Sequence, residues 1–131
     1  MNEILVDKIS NYSSALERLK ESLGDVENRF YLDATIKRFE LTFETAWKAL
    51  KKFLYLEGYE CFSPRDCLKK GYQAAYIKDE SIWIAMLLDR NRTAHIYDEQ
   101  EAASICRKIR DDYYPVLIKL RRTLKEKVTQ L

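Results

Sequence analysis

Glycine and proline are scarce in this chain, which has three glycines and two prolines among 131 residues. So few helix-breaking residues, with 47% hydrophobic and 34% charged residues, are typical of a folded, helix-rich protein and argue against a disordered one. A chain of 131 residues can bury one sizeable core but not two. We therefore expect residues 1–131 to form a single domain.

An excess of charge of one sign is also missing, because 23 basic residues nearly match 21 acidic ones and leave a net charge of +2. This balance argues against a broad basic surface for nucleic acid or anionic membranes, so nucleotide binding must be local. The longest apolar run, 82–88, is too short to span a bilayer, and the N-terminus lacks the pattern of a signal peptide. The sequence predicts a soluble, cytoplasmic protein with no membrane partner.

The cysteines are few and odd in number: Cys61, Cys67 and Cys106. They lack the paired spacing of a zinc site, and an odd count argues against a disulfide framework. We expect all three to be small buried residues in a reducing compartment. The sequence predicts no metal ion and no cofactor.

Apolar residues recur at intervals of three and four along most of the chain, which is the period of a helix. One run extends from Leu5 to Leu23 and should end in a left-handed cap at Gly24, and a second, 32–54, is closed by Gly58. Ser63-Pro64-Arg65-Asp66 has the pattern of a helix start and predicts a short third helix that ends near 71–75.

A fourth helix should run from about Asp79 to the Arg90 region, and Asp98 begins the last one. Pro115 lies inside the last apolar pattern and should kink that helix rather than end it. No segment shows the two-residue alternation of a strand. The prediction is an all-α, antiparallel, up-and-down four-helix bundle with one short extra helix.

The segment from Arg90 to Tyr97 carries the most chemistry. Histidine is the one side chain whose charge ordinarily changes near neutral pH, and His95 is the only histidine. Arg90 brings a planar cation suited to phosphate oxygens, and Tyr97 a hydroxyl that can be modified. Catalysis on a phosphodiester would use His95 for proton transfer and Arg90 to stabilise developing charge, because RNA supplies its own 2′-hydroxyl nucleophile.

Helical geometry limits this interpretation. Residues five apart on a helix are rotated by about 140°, so Arg90 and His95 would face different directions, whereas Asn91 and His95 would share a face. Arg90 and His95 can meet only if the chain leaves the helix between them, or if a second copy faces the first. The plainer alternative is that both are polar residues at a helix end, where a cation complements the helix dipole.

The segment Arg90-Asn91-Arg92-Thr93-Ala94-His95-Ile96-Tyr97 resembles a known family, because it matches the Arg-x4-His-x-Tyr signature of HEPN domains. The stretch 38–48, Ser63-Pro64-Arg65-Asp66 and Asp89-Arg90-Asn91 resemble more narrowly the nucleotidyltransferase substrate-binding proteins of that superfamily. The resemblance extends from about residue 16 to residue 114. It implies a HEPN-like bundle that forms a homodimer, with two signature segments facing one composite cleft.

The resemblance leaves two functions open. The first is a non-catalytic subunit that binds a nucleotide or substrate for a separately encoded minimal nucleotidyltransferase, with binding residues Arg90, Asn91, His95 and Tyr97. The second is a metal-independent ribonuclease of a toxin–antitoxin pair, in which Arg90 and His95 are catalytic and adenylation of Tyr97 by the partner transferase silences the toxin. A third reading is a purely structural helical assembly protein.

Overall fold

The computed structural model describes residues 2–131; Met1, the first residue of the expected domain, lies outside the described residues. Six α-helices follow one another: α1 Glu3–Leu23, α2 Leu32–Leu56, α3 Pro64–Gln73, α4 Glu80–Arg92, α5 Glu99–Lys108 and α6 Tyr114–Val128. No strand occurs within 2–131. A π-helical segment, Ile109–Tyr113, joins α5 directly to α6, so that 99–128 is one continuous final helix. The predicted all-α bundle of four long helices and one short helix is confirmed.

Contacts between helices set their directions. The Thr42 hydroxyl donates to the carbonyl of Ala15, and the Arg38 guanidinium donates to that of Arg18. A later residue of α1 therefore contacts an earlier residue of α2, so the two helices are antiparallel. The buried faces of the helices form one core, whose largest members include Tyr12, Phe39, Phe43, Phe53 and Trp83. Burial of this apolar surface is the main stabilising contribution to the fold.

The short helix α3 begins and packs as its sequence predicts. The Ser63 side chain accepts a hydrogen bond from the Asp66 amide, with Pro64 in the first turn. Gly58, with φ 94°, terminates the preceding helix in a conformation that L side chains rarely adopt. The expected left-handed cap at Gly24 is wrong: this residue has φ −65° and ψ −19°, a right-handed conformation that any residue can adopt.

Pro115 sits in the first turn of α6, directly after the π-helical segment. Proline has no N–H to donate, and its ring clashes with the carbonyl four residues earlier, here that of Asp111. The wider π turn at 109–113 accommodates this conflict without ending the helix, as π turns inside α-helices do. The helix thus continues past Pro115 as expected, with the irregularity placed before the proline.

The expectation that the three cysteines are unpaired is wrong for two of them. Cys61, in the loop after α2, forms a disulfide with Cys67 in the first turn of α3, with Cα atoms 5.1 Å apart. The loop folds back on the start of α3 and brings Cys61 close to Cys67. Neither the odd number of cysteines nor the absence of metal-type spacing indicates whether two cysteines lie this close. Cys106 is free and buried, as expected.

Among residues 2–131, none of the helices combines the length and apolar character needed to cross a bilayer.

Candidate functional site

The chain leaves the α-helix inside the segment predicted to be functional. Helix α4 ends at Arg92, a 3-10 turn covers Thr93–His95, and Ile96 is extended with φ −92° and ψ 116°. Asp98 then caps α5 by accepting a hydrogen bond from the Glu101 amide at 2.8 Å. The break that the helix-start signal at Asp98 implied is therefore present.

Thr93 anchors this turn to the second helix. Its side chain is buried, and its hydroxyl lies 2.9 Å from a carboxylate oxygen of Glu40 and 2.7 Å from the carbonyl oxygen of Arg90. Since a buried hydroxyl needs a partner, these bonds fix where α4 stops relative to α2. The residues on either side of Thr93 are exposed.

Arg90 points into a hollow of about 320 Å³ between α1, α2 and the end of α4. The hollow is lined by Ala15, Arg18, Lys37, Arg38, Glu40, Leu41, Glu44 and Arg90. The lining contains four basic side chains and two acidic ones, which favours an anionic ligand. Its volume lies within the range of small-molecule sites, about 300 to 1,000 Å³.

Glu44 is the carboxylate that faces Arg90, with 4.0 Å between Oε2 and the guanidinium Nη2. Burial acts to raise the pKa of Glu44. Hydrogen bonds from Trp47 and Lys48, and the charges of Lys48 and Arg90, outweigh that effect and place the pKa below its ordinary value. Glu44 is therefore ionised at neutral pH and partly neutralises Arg90.

His95 lies in a different hollow, an open groove of about 570 Å³ on the other side of the α4 end. This groove is lined by Ala85, Leu88, Asp89, Asn91, Arg92, His95, Glu101 and Lys108. Asn91 and His95 both line it, although the α-helix on which their spacing predicted a common face ends between them at Arg92. Arg90 and His95 line separate hollows within one chain, so the turn after α4 does not by itself bring them together.

Tyr97 is highly exposed, with 87% of its surface accessible. It follows the extended residue Ile96 and precedes the cap residue Asp98. An exposed phenol in a short connection is accessible to a modifying enzyme or a second protein chain. It lines neither of the two hollows.

Asp89 is a polar centre of the site. It belongs to the family-like stretch Asp89-Arg90-Asn91, but the sequence predicted no role for it. The residue is 3% exposed, accepts a hydrogen bond from the Tyr113 hydroxyl, and pairs with Arg92 and Lys108 at 3.3 Å each. Burial and the Asp89 hydrogen bond raise the pKa of Tyr113 above its ordinary range. The sequence signal that could have identified Asp89 is its position three residues after Met86, because this spacing places the carboxylate on the apolar face of α4.

Within 2–131, no three His, Cys, Asp or Glu side chains are grouped so that they could hold a metal ion. The polar side chains at the end of α4 can instead bind anions, donate hydrogen bonds and transfer a proton at His95. The arrangement provides cations on both sides of the helix end, each with a carboxylate neighbour.

Comparisons with known proteins agree with this architecture. A crystal structure of a Thermus thermophilus protein is 33% identical and superposes with a TM-score of 0.79, covering 86% of this chain and 98% of that one. The probable ribonuclease HepT of Haemophilus influenzae is 28% identical over 81 residues, or 58% of this chain. The chain spans little more than half of that relative, 56% of its length.

The family model described as nucleotidyltransferase substrate binding protein like matches residues 7–126, which include every helix of the bundle in whole or in part. This chain belongs to that family.

Proposed function

We propose that this protein is a nucleotide- or substrate-binding subunit that pairs with a separately encoded minimal nucleotidyltransferase. The observation that carries the proposal is the pair of polar hollows at the end of α4, one holding Arg90 and the other Asn91 and His95. Two hollows with cations and hydrogen-bond donors suit recognition of phosphate and ribose. The family match supports the same role.

Four residues of the segment take part in this binding. Arg90 and Asn91 contact phosphate or ribose, and His95 donates or accepts a hydrogen bond beside them. Tyr97, which lines neither hollow of a single chain, borders the composite cleft formed with a second copy. Glu44 holds the Arg90 guanidinium at the wall of its hollow until an anionic ligand competes for it. The transferase supplies the catalysis.

The cleft is composite, formed when two copies bring their α4 ends together. Arg90 and His95 of one chain line different hollows, so a shared ligand would need Arg90 from one copy and His95 from the other. Light scattering is expected to give the mass of a dimer. A monomer at working concentration would contradict the composite cleft.

Co-purification with the transferase encoded beside this chain tests the pairing. The two proteins, mixed at micromolar concentration, should elute as one complex, and Tyr97→Ala should weaken it. Tyr55→Ala is a matched control, because Tyr55 is also exposed but lies near the end of α2 and outside the segment from Arg90 to Tyr97. Separate elution of the wild-type proteins would contradict the pairing.

The second candidate is a metal-independent ribonuclease, which the similarity to a probable ribonuclease favours. His95 would accept the proton of a 2′-hydroxyl as that oxygen attacks phosphorus, and Arg90 of the second copy would stabilise the charge on the phosphoryl oxygens. The bond from phosphorus to the 5′ oxygen would break as the 2′ oxygen bonds to phosphorus; the 5′ oxygen would take a proton from water, and His95 would return its proton to solvent. Exposed Tyr97 would be the hydroxyl that the partner transferase adenylates with ATP, releasing pyrophosphate, as in a toxin–antitoxin pair.

Incubation with total RNA separates the candidates. Cleavage by the wild-type dimer but not by His95→Ala would favour the ribonuclease. Equal inertness of both would exclude it and leave the binding subunit. Both roles belong in the cytoplasm, where nucleotides and RNA are available; cell fractionation tests that location.

A further inference from the structure

The groove on the His95 side contains two cations whose positions depend on one buried carboxylate. Arg92 lies on the last turn of α4 and Lys108 on the last turn of α5. Their nitrogens, Arg92 Nη1 and Lys108 Nζ, approach the two different oxygens of Asp89 at 3.3 Å each. Asp89 therefore joins two helices and sets the separation of the two charges.

The carboxylate of Asp89 is itself fixed. Only 5% of its side chain is exposed, and the Tyr113 hydroxyl donates to the oxygen that Lys108 approaches. Tyr113 belongs to the π-helical segment, and its ring stacks on Phe39 with 5.7 Å between centroids. Packing in the core thus fixes the Tyr113 ring, the Tyr113 hydroxyl fixes the Asp89 carboxylate, and that carboxylate positions Arg92 and Lys108.

The cations retain free donors toward the groove. The Arg92 side chain is 59% exposed and the Lys108 side chain is 49% exposed. Arg92 also reaches Glu101 at 3.5 Å through Nη2, but a guanidinium has five N–H donors and an ammonium has three. Long cationic side chains lose rotational freedom when they bind a ligand, and a fixed carboxylate reduces that cost in advance.

We propose that Asp89 is a positioning residue that holds Arg92 and Lys108 at the rim of the His95 groove, where they receive a phosphate group of a nucleotide. The identity of the ligand rests on the proposed binding function. To that function the geometry adds Arg92 and Lys108 as the residues that contact the phosphate and Asp89 as the residue that positions them. His95 and Asn91, in the same groove, lie beside that phosphate.

Whether removal of the Asp89 carboxylate weakens or strengthens anion binding distinguishes a positioning role from a simple effect of charge. Loss of a carboxylate from an anion site strengthens anion binding if only the net charge matters. A positioning role predicts the opposite, because the released cations no longer point together into the groove. Asp89→Asn should therefore weaken binding although it makes the groove more positive.

The test follows NMR signals of the labelled wild-type protein during titration with inorganic pyrophosphate, and separately with ATP. His95 is the only histidine of the chain, so its ring signals report on the groove without overlap. We expect saturable shifts at His95, Asn91, Arg92 and Lys108, with Asp89→Asn weakening binding about tenfold. The effect of Asp89→Asn should shrink at least by half in a protein that already carries Arg92→Gln and Lys108→Gln, which a general loss of structure would not produce.

Tyr113→Phe and Asp111→Asn are the companion variants. Tyr113→Phe keeps all charges and the aromatic ring but removes the donor to Asp89, and should weaken binding about threefold even if Asp89→Asn fails to fold. Asp111→Asn also removes one negative charge, as Asp89→Asn does, but from an exposed position on the π-helical segment that contains Tyr113. Asp111 pairs there with Arg110, so its replacement should not weaken binding. Circular dichroism confirms that each variant is folded.

Three results would overturn this assignment. They are the absence of groove shifts in the wild-type protein, binding by Asp89→Asn or Tyr113→Phe as tight as in the wild type, and shifts with short single-stranded RNA but not with pyrophosphate or ATP. Failure to form the transferase complex contradicts the proposed function alone. Complex formation without phosphate in the groove contradicts only the role of Asp89.

Discussion

The hydroxyl of Thr93 lies 2.9 Å from the carboxylate of Glu40, joining the turn after α4 to the middle of α2. The same hydroxyl lies 2.7 Å from the carbonyl oxygen of Arg90, at the point where the α-helix gives way to a 3-10 turn. Since this turn separates the Arg90 hollow from the His95 groove, the Thr93–Glu40 contact determines how the two are divided.

Thr93→Val should lower the free energy of unfolding by about 1 to 2 kcal/mol, because it removes a buried hydroxyl and leaves Glu40 without that donor. Valine and threonine have the same branched shape, so packing changes little. Urea unfolding measures the loss. Thr45→Val is the matched control, since the Thr45 hydroxyl contacts only carbonyls of its own helix, and should cost less than about 0.5 kcal/mol. Equal losses would contradict a special role for the Thr93 contact.

Glu44 should stabilise the fold in a pH-dependent way. Its pKa in the folded state is lowered from the ordinary 4.5, so its contribution is present above that value and is lost as the pH falls through the lower, folded-state pKa. Because the side chain is 35% exposed, solvent limits the effect to about 0.5 kcal/mol. Urea unfolding of wild type and Glu44→Gln should differ at pH 7 and converge as the pH falls below the folded-state pKa of Glu44. A difference that grows on acidification would contradict this assignment.

Helix positions were predictable because each depends on neighbours in sequence. The caps at Ser63 and Asp98 and the stop at Gly58 are local chemistry, and all three are present. Gly24 shows the limit of such rules: a glycine after an apolar run permits a left-handed cap but does not require one, and here the backbone stays right-handed. The continuation of the last helix past Pro115 was also predictable, whereas the π turn that permits it was not.

The site was predictable only where sequence spacing governs it. Asn91 and His95 are only four residues apart, close enough in sequence to line one groove even though the α-helix ends between them at Arg92. Asp89 and Tyr113 meet across the bundle, and Glu40 meets Thr93 from a helix more than fifty positions earlier. Such contacts depend on how the helices pack, which periodicity alone does not determine. The disulfide was missed for a similar reason, because the path of the loop brings Cys61 to Cys67.

The disulfide should stabilise the protein by restricting its unfolded chain. The two cysteines are 6 residues apart, and a loop of that size corresponds to about 2 kcal/mol in the chain-entropy model. Dithiothreitol should therefore lower the free energy of unfolding by about that amount. The Cys61→Ser, Cys67→Ser double variant should not respond. The double variant retains Cys106, whose pKa is raised to about 11 by burial and by the charge of Asp33, so that this thiol stays protonated. An equal response of the double variant to dithiothreitol would contradict the assignment of the stabilisation to the disulfide.

Gly71 should be intolerant of a side chain because α3 approaches α2 closely there. A Cβ at this position would lie 2.8 Å from Cδ2 of Leu50, which is fully buried and has little room to move. Gly71→Ala should gain helix propensity but lose more by overpacking, for a net loss of about 1 kcal/mol in the free energy of unfolding. Gly24→Ala is the matched control: its Cβ meets nothing within 4 Å and its backbone is right-handed, so it should gain about 0.5 kcal/mol. Thermal and urea unfolding should order the three proteins as Gly24→Ala, wild type, Gly71→Ala. A stabilised Gly71→Ala protein would mean that Leu50 can yield, and that the packing of α3 on α2 is looser than these distances indicate.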